Sequence, residues 1–210
     1  DLYSYKIFRY LFFYKIACNF NNFKLRQICV FSTKKIMEYK KNIVLIGMMG
    51  SGKSTIGRML ARKLNLNFID IDSKIENLEN LKIKDIFEKK GEIFFRNLEF
   101  KESFKEIKKN NNIVSLGGGA YLNDKLRLII KKFSCSIWLH WKSKTLIERI
   151  RNNPKRPVIR GMNEFQIKKM INERNKVYAK SDFKITCDNH KKNEIIDKII
   201  NVYKKYEISN

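Results

Sequence analysis

The stretch from Lys41 to Thr55 limits what this 210-residue chain can fold into more than any other. Ile43 to Ile46 form a short apolar run that reads as a buried strand. The run empties into Gly47-Met48-Met49-Gly50-Ser51-Gly52-Lys53-Ser54, the G-x-x-x-x-G-K-[ST] pattern of a phosphate-binding loop. An amphipathic helix is expected next, with Ile56, Met59, Leu60 and Leu64 on one side and Arg58, Arg62 and Lys63 on the other. The bland alternative is an ordinary strand-to-helix turn, and the strand–loop–helix order argues against it. Gly47, Gly50 and Gly52 let the backbone curl so that N–H groups converge on phosphate oxygens. The helix N-terminus adds partial positive charge, Lys53 a cation for the β/γ-phosphates, and Ser54 a hydroxyl for Mg²⁺.

Beyond this loop, short apolar runs alternate with helical patterns. Strands are expected at Phe68–Ile69, Ile113–Ser115, Cys135–His140 and Phe183–Thr186. Helices are expected through Ile75 and Leu78, over 83–99 with a break at Gly91, over Leu122–Lys132, from Ser143 to Arg151, over Asn163–Ala179 and over Asn193–Tyr206. Such alternation argues for a parallel α/β sheet covered on both faces. Residues 1–36 differ: they are aromatic and basic, hold one acid (Asp1) and no Met, and show no helix or strand period. Two readings compete, an organelle-targeting leader and upstream or disordered sequence preceding a domain that starts at Met37. The second is favoured, and with it a cytoplasmic location over an organelle.

Net charge is +24, and residues 37–210 alone keep 38 Lys+Arg against 20 Asp+Glu. A basic surface draws nucleic acid, anionic membranes or phosphorylated ligands. Here the lysines are spread over helix faces, no nucleic-acid motif accompanies them, and no apolar run is long enough to span a bilayer. Neither a nucleic-acid nor a membrane partner is expected. Cys18, Cys29, Cys135 and Cys187 make no C-x-x-C pair, and His140 and His190 sit at no metal-ligand spacing from them; Cys135 and Cys187 read as small core residues.

Several further stretches carry candidate chemistry. Asp70 and Asp72 end the second strand; in extended chain, side chains at i and i+2 share a face, so both could reach one site. The alternative, that Asp72-Ser73 only caps the next helix, explains one acid and not the other. Arg96 and Glu99 can pair on a helix face, with a plain surface ion pair as the competing reading. Gly117-Gly118-Gly119 abuts a strand, which implies close approach of backbone to a ligand. The turn-rich, basic segment from Asn152 to Gly161 is a mobile-loop candidate.

Taken together, these blocks resemble the shikimate kinase family from about Asn42 to Ile200. They are Gly47–Arg58, Asp70-Ile71-Asp72, Ile86–Glu92, Phe95-Arg96-Asn97-Leu98-Glu99, Ser115–Ala120, Arg156-Pro157, and Arg174 followed by Tyr178. The resemblance implies a three-layer P-loop α/β fold, a five-stranded parallel sheet in order 2-3-1-4-5 flanked by helices. It also implies a substrate-binding lobe at about 73–105 and a lid at about 152–162 within a domain spanning 37–210. The implied activity is ATP-dependent phosphorylation of the 3-hydroxyl of shikimate by a Mg²⁺-requiring monomer.

The resemblance also implies roles. ATP would lie on Gly47, Met48, Met49, Gly50, Ser51, Gly52, Lys53, Ser54 and Thr55, with Arg149 stacked on adenine and Arg156 swinging from the lid onto the transferring phosphoryl group. Ser54 would ligate Mg²⁺ and Asp70 would hold it through water. Asp72 would bind a ring hydroxyl and accept its proton; Lys53, Asp72 and Arg156 are the implied catalytic set. Arg96, oriented by Glu99, and Arg174 would hold the substrate carboxylate, while Gly117, Gly118 and Gly119 present backbone N–H groups. Three departures stand out: Val158 and Ile159 follow Arg156-Pro157 where the family has leucines, Cys187–Lys191 lacks a proline expected near adenine, and no Asp ends the third strand, which leaves metal binding to Ser54 and Asp70. A kinase of another polyol acid such as gluconate is the main rival, and a nucleic-acid-binding protein ranks last.

Overall fold

In a computed structural model, the described residues are 41–151 and 161–209. Among them five strands form one parallel sheet: β1 (Asn42–Ile46), β2 (Asn67–Asp70), β3 (Asn112–Ser115), β4 (Ser134–His140) and β5 (Phe183–Thr186), in spatial order β2-β3-β1-β4-β5. β1 is central because it can be: every residue of Asn-Ile-Val-Leu-Ile is buried. Ile43 sits in register with Ile113 of β3 on one side and Cys135 of β4 on the other. A strand covered on both faces and both edges needs apolar side chains, which Ile43 to Ile46 supply, while the polar Asn42 at its start is buried with its hydrogen bonds satisfied.

The helices follow in the order α1 (Lys53–Leu64), α2 (Ile71–Glu79), α3 (Ile83–Lys108), α4 (Asp124–Phe133), α5 (Ser143–Arg151), α6 (Glu164–Tyr178) and α7 (Lys192–Ser209). α3 is two helical pieces joined at Gly91, whose φ of 81° lies in the left-handed region that favours glycine. The break expected there from sequence is present. In α1, Gly57 has a steric purpose: a Cβ would lie 2.3 Å from the Phe68 ring, so glycine lets β2 close against the helix. Asn42 ties the end of α3 to the sheet, its amide donating to the Ile107 carbonyl at 2.8 Å and its oxygen accepting from Asn112 N at 2.9 Å.

Three local expectations need correction. Asp72-Ser73 does not cap α2; Asp70 does, its side chain accepting from Ser73 N at 3.2 Å. The extended i, i+2 geometry assumed for Asp70 and Asp72 also fails, because the helix begins at Ile71. The two acids consequently aim at different parts of the crevice. α4 starts at Asp124 rather than Leu122: a 3₁₀ turn (Ala120–Leu122) intervenes, and Asn123 caps the helix through Leu126 N at 3.0 Å. At the start of α5 the capping carboxylate is distant in sequence. Asp188, beyond β5, accepts from Lys142 N and Thr145 Oγ1, each at 2.9 Å. Cys135 lies in β4 and Cys187 just past β5; both are buried and unbridged. Burial pushes both thiols up, Cys187 to about 12, so they stay protonated and serve the core. None of the described helices is long and apolar enough to cross a membrane.

The calls on residues 1–36, on Arg156 and on most of the 152–162 segment lie outside the described residues.

Candidate active site

In a parallel sheet of this order, loops at the carboxyl ends of β1, β2 and β3 open on one side, where strand order reverses. The loop after β1 holds three glycines at positive φ: Gly47 (141°), Gly50 (78°) and Gly52 (86°). α1 starts at Lys53 with no side-chain cap and no acid in its first turn. Its leading N–H groups and positive dipole end are thus left for an external anion. Lys53 folds back along the loop, Nζ donating to the Gly47 carbonyl at 2.9 Å and to Met48 at 3.1 Å. A side chain held over its own loop is placed to meet phosphate oxygens lying there.

Beside it, Ser54 Oγ donates to Asp70 Oδ2 at 2.5 Å. A hydroxyl and a carboxylate side by side at a P-loop suit a hard, oxygen-seeking cation such as Mg²⁺. Among the described residues no group of three or more His, Cys, Asp or Glu side chains forms a metal cage. The donor set therefore fits a cation held partly by phosphate and water, which is how Mg²⁺ is ordinarily bound.

A second set of side chains gathers at the triglycine after β3. These glycines do not need unusual backbone angles; none has positive φ. They need space. A Cβ on Gly117 would sit 2.3 Å from Glu99 Oε1 and 2.7 Å from Asp72 Oδ1. One on Gly119 would sit 2.6 Å from the Arg96 guanidinium, and one on Gly118 would lie 3.4 Å from Met49 N and 3.5 Å from Arg174 Nη1. Asp72 from α2, Arg96 and Glu99 from α3, Arg174 from α6 and the P-loop backbone thus converge on the same three residues. Sequence reasoning read the glycines as room for a ligand; the structure shows that they first make room for these side chains. Arg174 also reaches the P-loop directly, with Nη1 3.8 Å from Met48 Sδ.

The Arg96–Glu99 pair is no surface ion pair. Arg96 Nη1 donates to Glu99 Oε2 at 2.7 Å, and Glu99 is 2% exposed. Arg96 also meets Glu92 at 3.2 Å and keeps part of its guanidinium open. Glu99 Oε1 is buried without a hydrogen-bond partner. Burial pushes the Glu99 carboxyl up to about 7; Arg96 opposes this and the Asp72 charge adds to it. The linkage has a definite sign. Because the folded state holds this proton more tightly than the unfolded chain, the contribution is full below pH 4.5 and is lost as pH rises through 7. Stability should fall over that interval by on the order of 3 kcal/mol and then level off. Thermal unfolding from pH 4.5 to 8 checks this, and Glu99→Gln should remove that part of the slope.

Sequence reasoning gave some nearby residues no role. Tyr178, fully buried, donates its hydroxyl to the Gly118 carbonyl at 2.5 Å and so pins the triglycine from α6. Burial pushes its phenol up to about 12, which keeps it a donor. Lys74 of α2 bridges Glu102 (2.8 Å) and Glu106 of α3, clipping the Asp72 helix to the Arg96 helix. Trp141 Nε1 donates to the Ser51 carbonyl at 2.9 Å, bracing the P-loop from beyond β4. The Tyr178 spacing after Arg174 was visible in sequence; the other two contacts join segments with no local signal.

Gly119→Ala tests the space argument. The nearest obstacle is the mobile end of Arg96, so the variant should fold with a melting temperature near wild type. Displacing the guanidinium should weaken binding of a carboxylate ligand roughly tenfold or more, a charged hydrogen bond being worth about 1.5–3 kcal/mol. Equilibrium binding on the variant measures it.

The geometry can be set beside known proteins. The family profile described as shikimate kinase matches residues 49–204. The shikimate kinase of Sulfurihydrogenibium sp. (strain YO3AOP1) is 41% identical over 165 residues, covering 79% of this chain and 99% of that protein. That of Bacillus subtilis (strain 168) is 40% identical over 175 residues, covering 79% and 90%. Among solved structures, shikimate kinase from Acinetobacter baumannii in complex with shikimate superposes with a TM-score of 0.76 at 27% identity, covering 80% of this chain and 96% of that one.

Proposed function

This chain belongs to the shikimate kinase family, and with that as premise we propose how its residues divide the family's reaction among themselves. The enzyme transfers the γ-phosphoryl group of ATP to the 3-hydroxyl of shikimate, giving shikimate 3-phosphate and ADP on the route to aromatic amino acids. Phosphoryl transfer is mostly positioning and charge neutralisation, and the two halves of the crevice supply one each.

On the nucleotide side, the N–H groups of Gly47 to Thr55 and the α1 N-terminus cradle the β- and γ-phosphates, and Lys53 turns from its own loop carbonyls onto them. Ser54 and, through water, Asp70 hold Mg²⁺, which when bound neutralises phosphate charge. Arg149 stacks on adenine. Arg156 reaches the transferring phosphoryl group from a lid at about 152–162, whose closure keeps water from the γ-phosphate.

On the acceptor side, Arg96 and Arg174 take the carboxylate, planar guanidinium forks being the groups suited to it. Glu99 holds Arg96 in orientation. Asp72 accepts from the 3-hydroxyl and takes its proton as the new P–O bond forms, and Gly117, Gly118 and Gly119 offer N–H groups to the ring substituents. Residues 73–105 form the acceptor lobe within a domain running from 37 to 210. ATP and shikimate are the only partners required, and a cytoplasmic monomer suffices.

The observation that carries this reading is the meeting of Asp72, Arg96, Glu99 and Arg174 at the triglycine, against the P-loop. A coupled ADP-release assay over shikimate and gluconate tests it. Shikimate should be preferred by at least about 10³-fold in kcat/KM, because rejecting an ill-fitting polar ligand leaves buried charges unpaired. Comparable turnover of gluconate would contradict the assignment of the acceptor half.

A further inference from the structure

Trp141 braces the P-loop, and two contacts tie it to the nucleotide half of the crevice. Its indole N–H donates to the Ser51 carbonyl inside the P-loop at 2.9 Å. The guanidinium carbon of Arg149, from α5, lies 3.6 Å from its ring centroid, which is face-to-face stacking distance. Arg149 is itself against the loop: a Cβ on Gly50 would come 3.6 Å from Arg149 Cβ. The indole is 9% exposed, whereas Arg149 is open to solvent. One guanidinium face is therefore covered by tryptophan, and the other looks outward next to the loop.

This arrangement has a physical reason. A free arginine samples many rotamers, and ordering it when a base arrives costs affinity. A planar cation laid on an indole has lost much of that freedom in advance. The indole is in turn fixed by a hydrogen bond to the loop that carries the phosphates, so the distance from phosphates to stacking platform is set by one rigid strut.

We propose that Trp141 is a positioning residue for the purine base of ATP: it holds the Arg149 guanidinium flat beside the P-loop, so that the base completes an indole–guanidinium–purine stack. This rests on the reading that the P-loop holds ATP, and it adds a residue to that site. Trp141 touches no reacting atom and should leave the chemical step alone.

The experiment compares wild type, Trp141→Leu and Trp141→Phe, with melting temperatures recorded for each. In wild type, ADP titration should change tryptophan emission, and the Phe variant, which keeps only Trp138, should lose that signal. Trp141→Leu should raise KM for ATP about tenfold, the effect of losing a desolvated stacking contact. Trp141→Phe, which keeps a ring, should raise it only about threefold. Both should keep kcat at saturating ATP and KM for shikimate within about twofold of wild type. Tripolyphosphate, which has no base, should inhibit all three equally. Unchanged emission on ADP binding, or an unchanged KM for ATP in Trp141→Leu, overturns the proposal. So does an equal loss of tripolyphosphate affinity, which would mean that the indole acts only on loop shape. Failure of wild type to bind ADP at all would instead count against the nucleotide site itself.

Discussion

Lys53→Met should lower kcat/KM by about 10³-fold or more, roughly 4 kcal/mol of transition-state stabilisation. The size follows from where the charge sits. Lys53 is buried, and its ammonium lies over the Gly47 and Met48 carbonyls, at the mouth of an α1 N-terminus that has no capping side chain and no acid in its first turn. Among the described residues, Arg174 reaches Met48 Sδ but also lies against Gly118, and Arg149 lies beside Gly50 and stacks on Trp141, so neither sits over the Gly47 and Met48 carbonyls as Lys53 does. Steady-state kinetics with ATP varied would read the loss, while shikimate affinity, proposed above to rest on residues of α2, α3 and α6, should hold within about threefold, as distant sites add independently. A variant with near-normal turnover would mean that the loop amides alone neutralise the phosphates.

The second large effect is expected at Asp72. Asp72→Asn keeps the size of the side chain and can still hydrogen-bond a hydroxyl, but it cannot take a proton. If Asp72 is the base, kcat should fall by about 10²–10⁴-fold with KM for shikimate changed little. If it only positions the hydroxyl, KM should rise and kcat survive, so the kcat-against-KM split decides its role. The substitution has a second consequence, at Glu99 on the neighbouring helix. The Asp72 charge is among the causes holding the Glu99 proton on, so Asn at 72 should move the Glu99 titration downward. The pH–stability slope described above should shift to lower pH in step.

What could be read from sequence, and what could not, divides by distance along the chain. β1, the glycine loop and α1 were legible because their signals are local: an apolar run, glycines where φ must be positive, and an apolar face at helical spacing. The break at Gly91 was legible for the same reason. Asp70 and Asp72 were misread in geometry because Ile-Asp-Ser has no strong helical or extended preference, and where the strand ends decides which way each acid points. The Arg96–Glu99 spacing was visible, but its burial was not; i, i+3 spacing reports proximity and says nothing about which face is covered. The braces from Trp141 to Ser51, Tyr178 to Gly118 and Asp188 to the start of α5 join residues 90, 60 and 46 or 43 positions apart. Contacts of that range leave no periodicity in the sequence, because only the fold brings them together. The triglycine was read as a place of close approach, and what approaches became clear only with α2, α3 and α6 in position.

The most direct test of the account is calorimetric titration of shikimate into wild type, Arg96→Met and Arg174→Met, with ADP titrated in parallel. Arginines from two separate helices should prove to hold one carboxylate. Each substitution should weaken shikimate binding by about 30-fold or more, the 2–5 kcal/mol attached to breaking a buried charged pair, and leave ADP affinity within about threefold. Shikimate binding that survives both substitutions unchanged would contradict it, since the acceptor would then lie somewhere other than the crevice where these side chains meet.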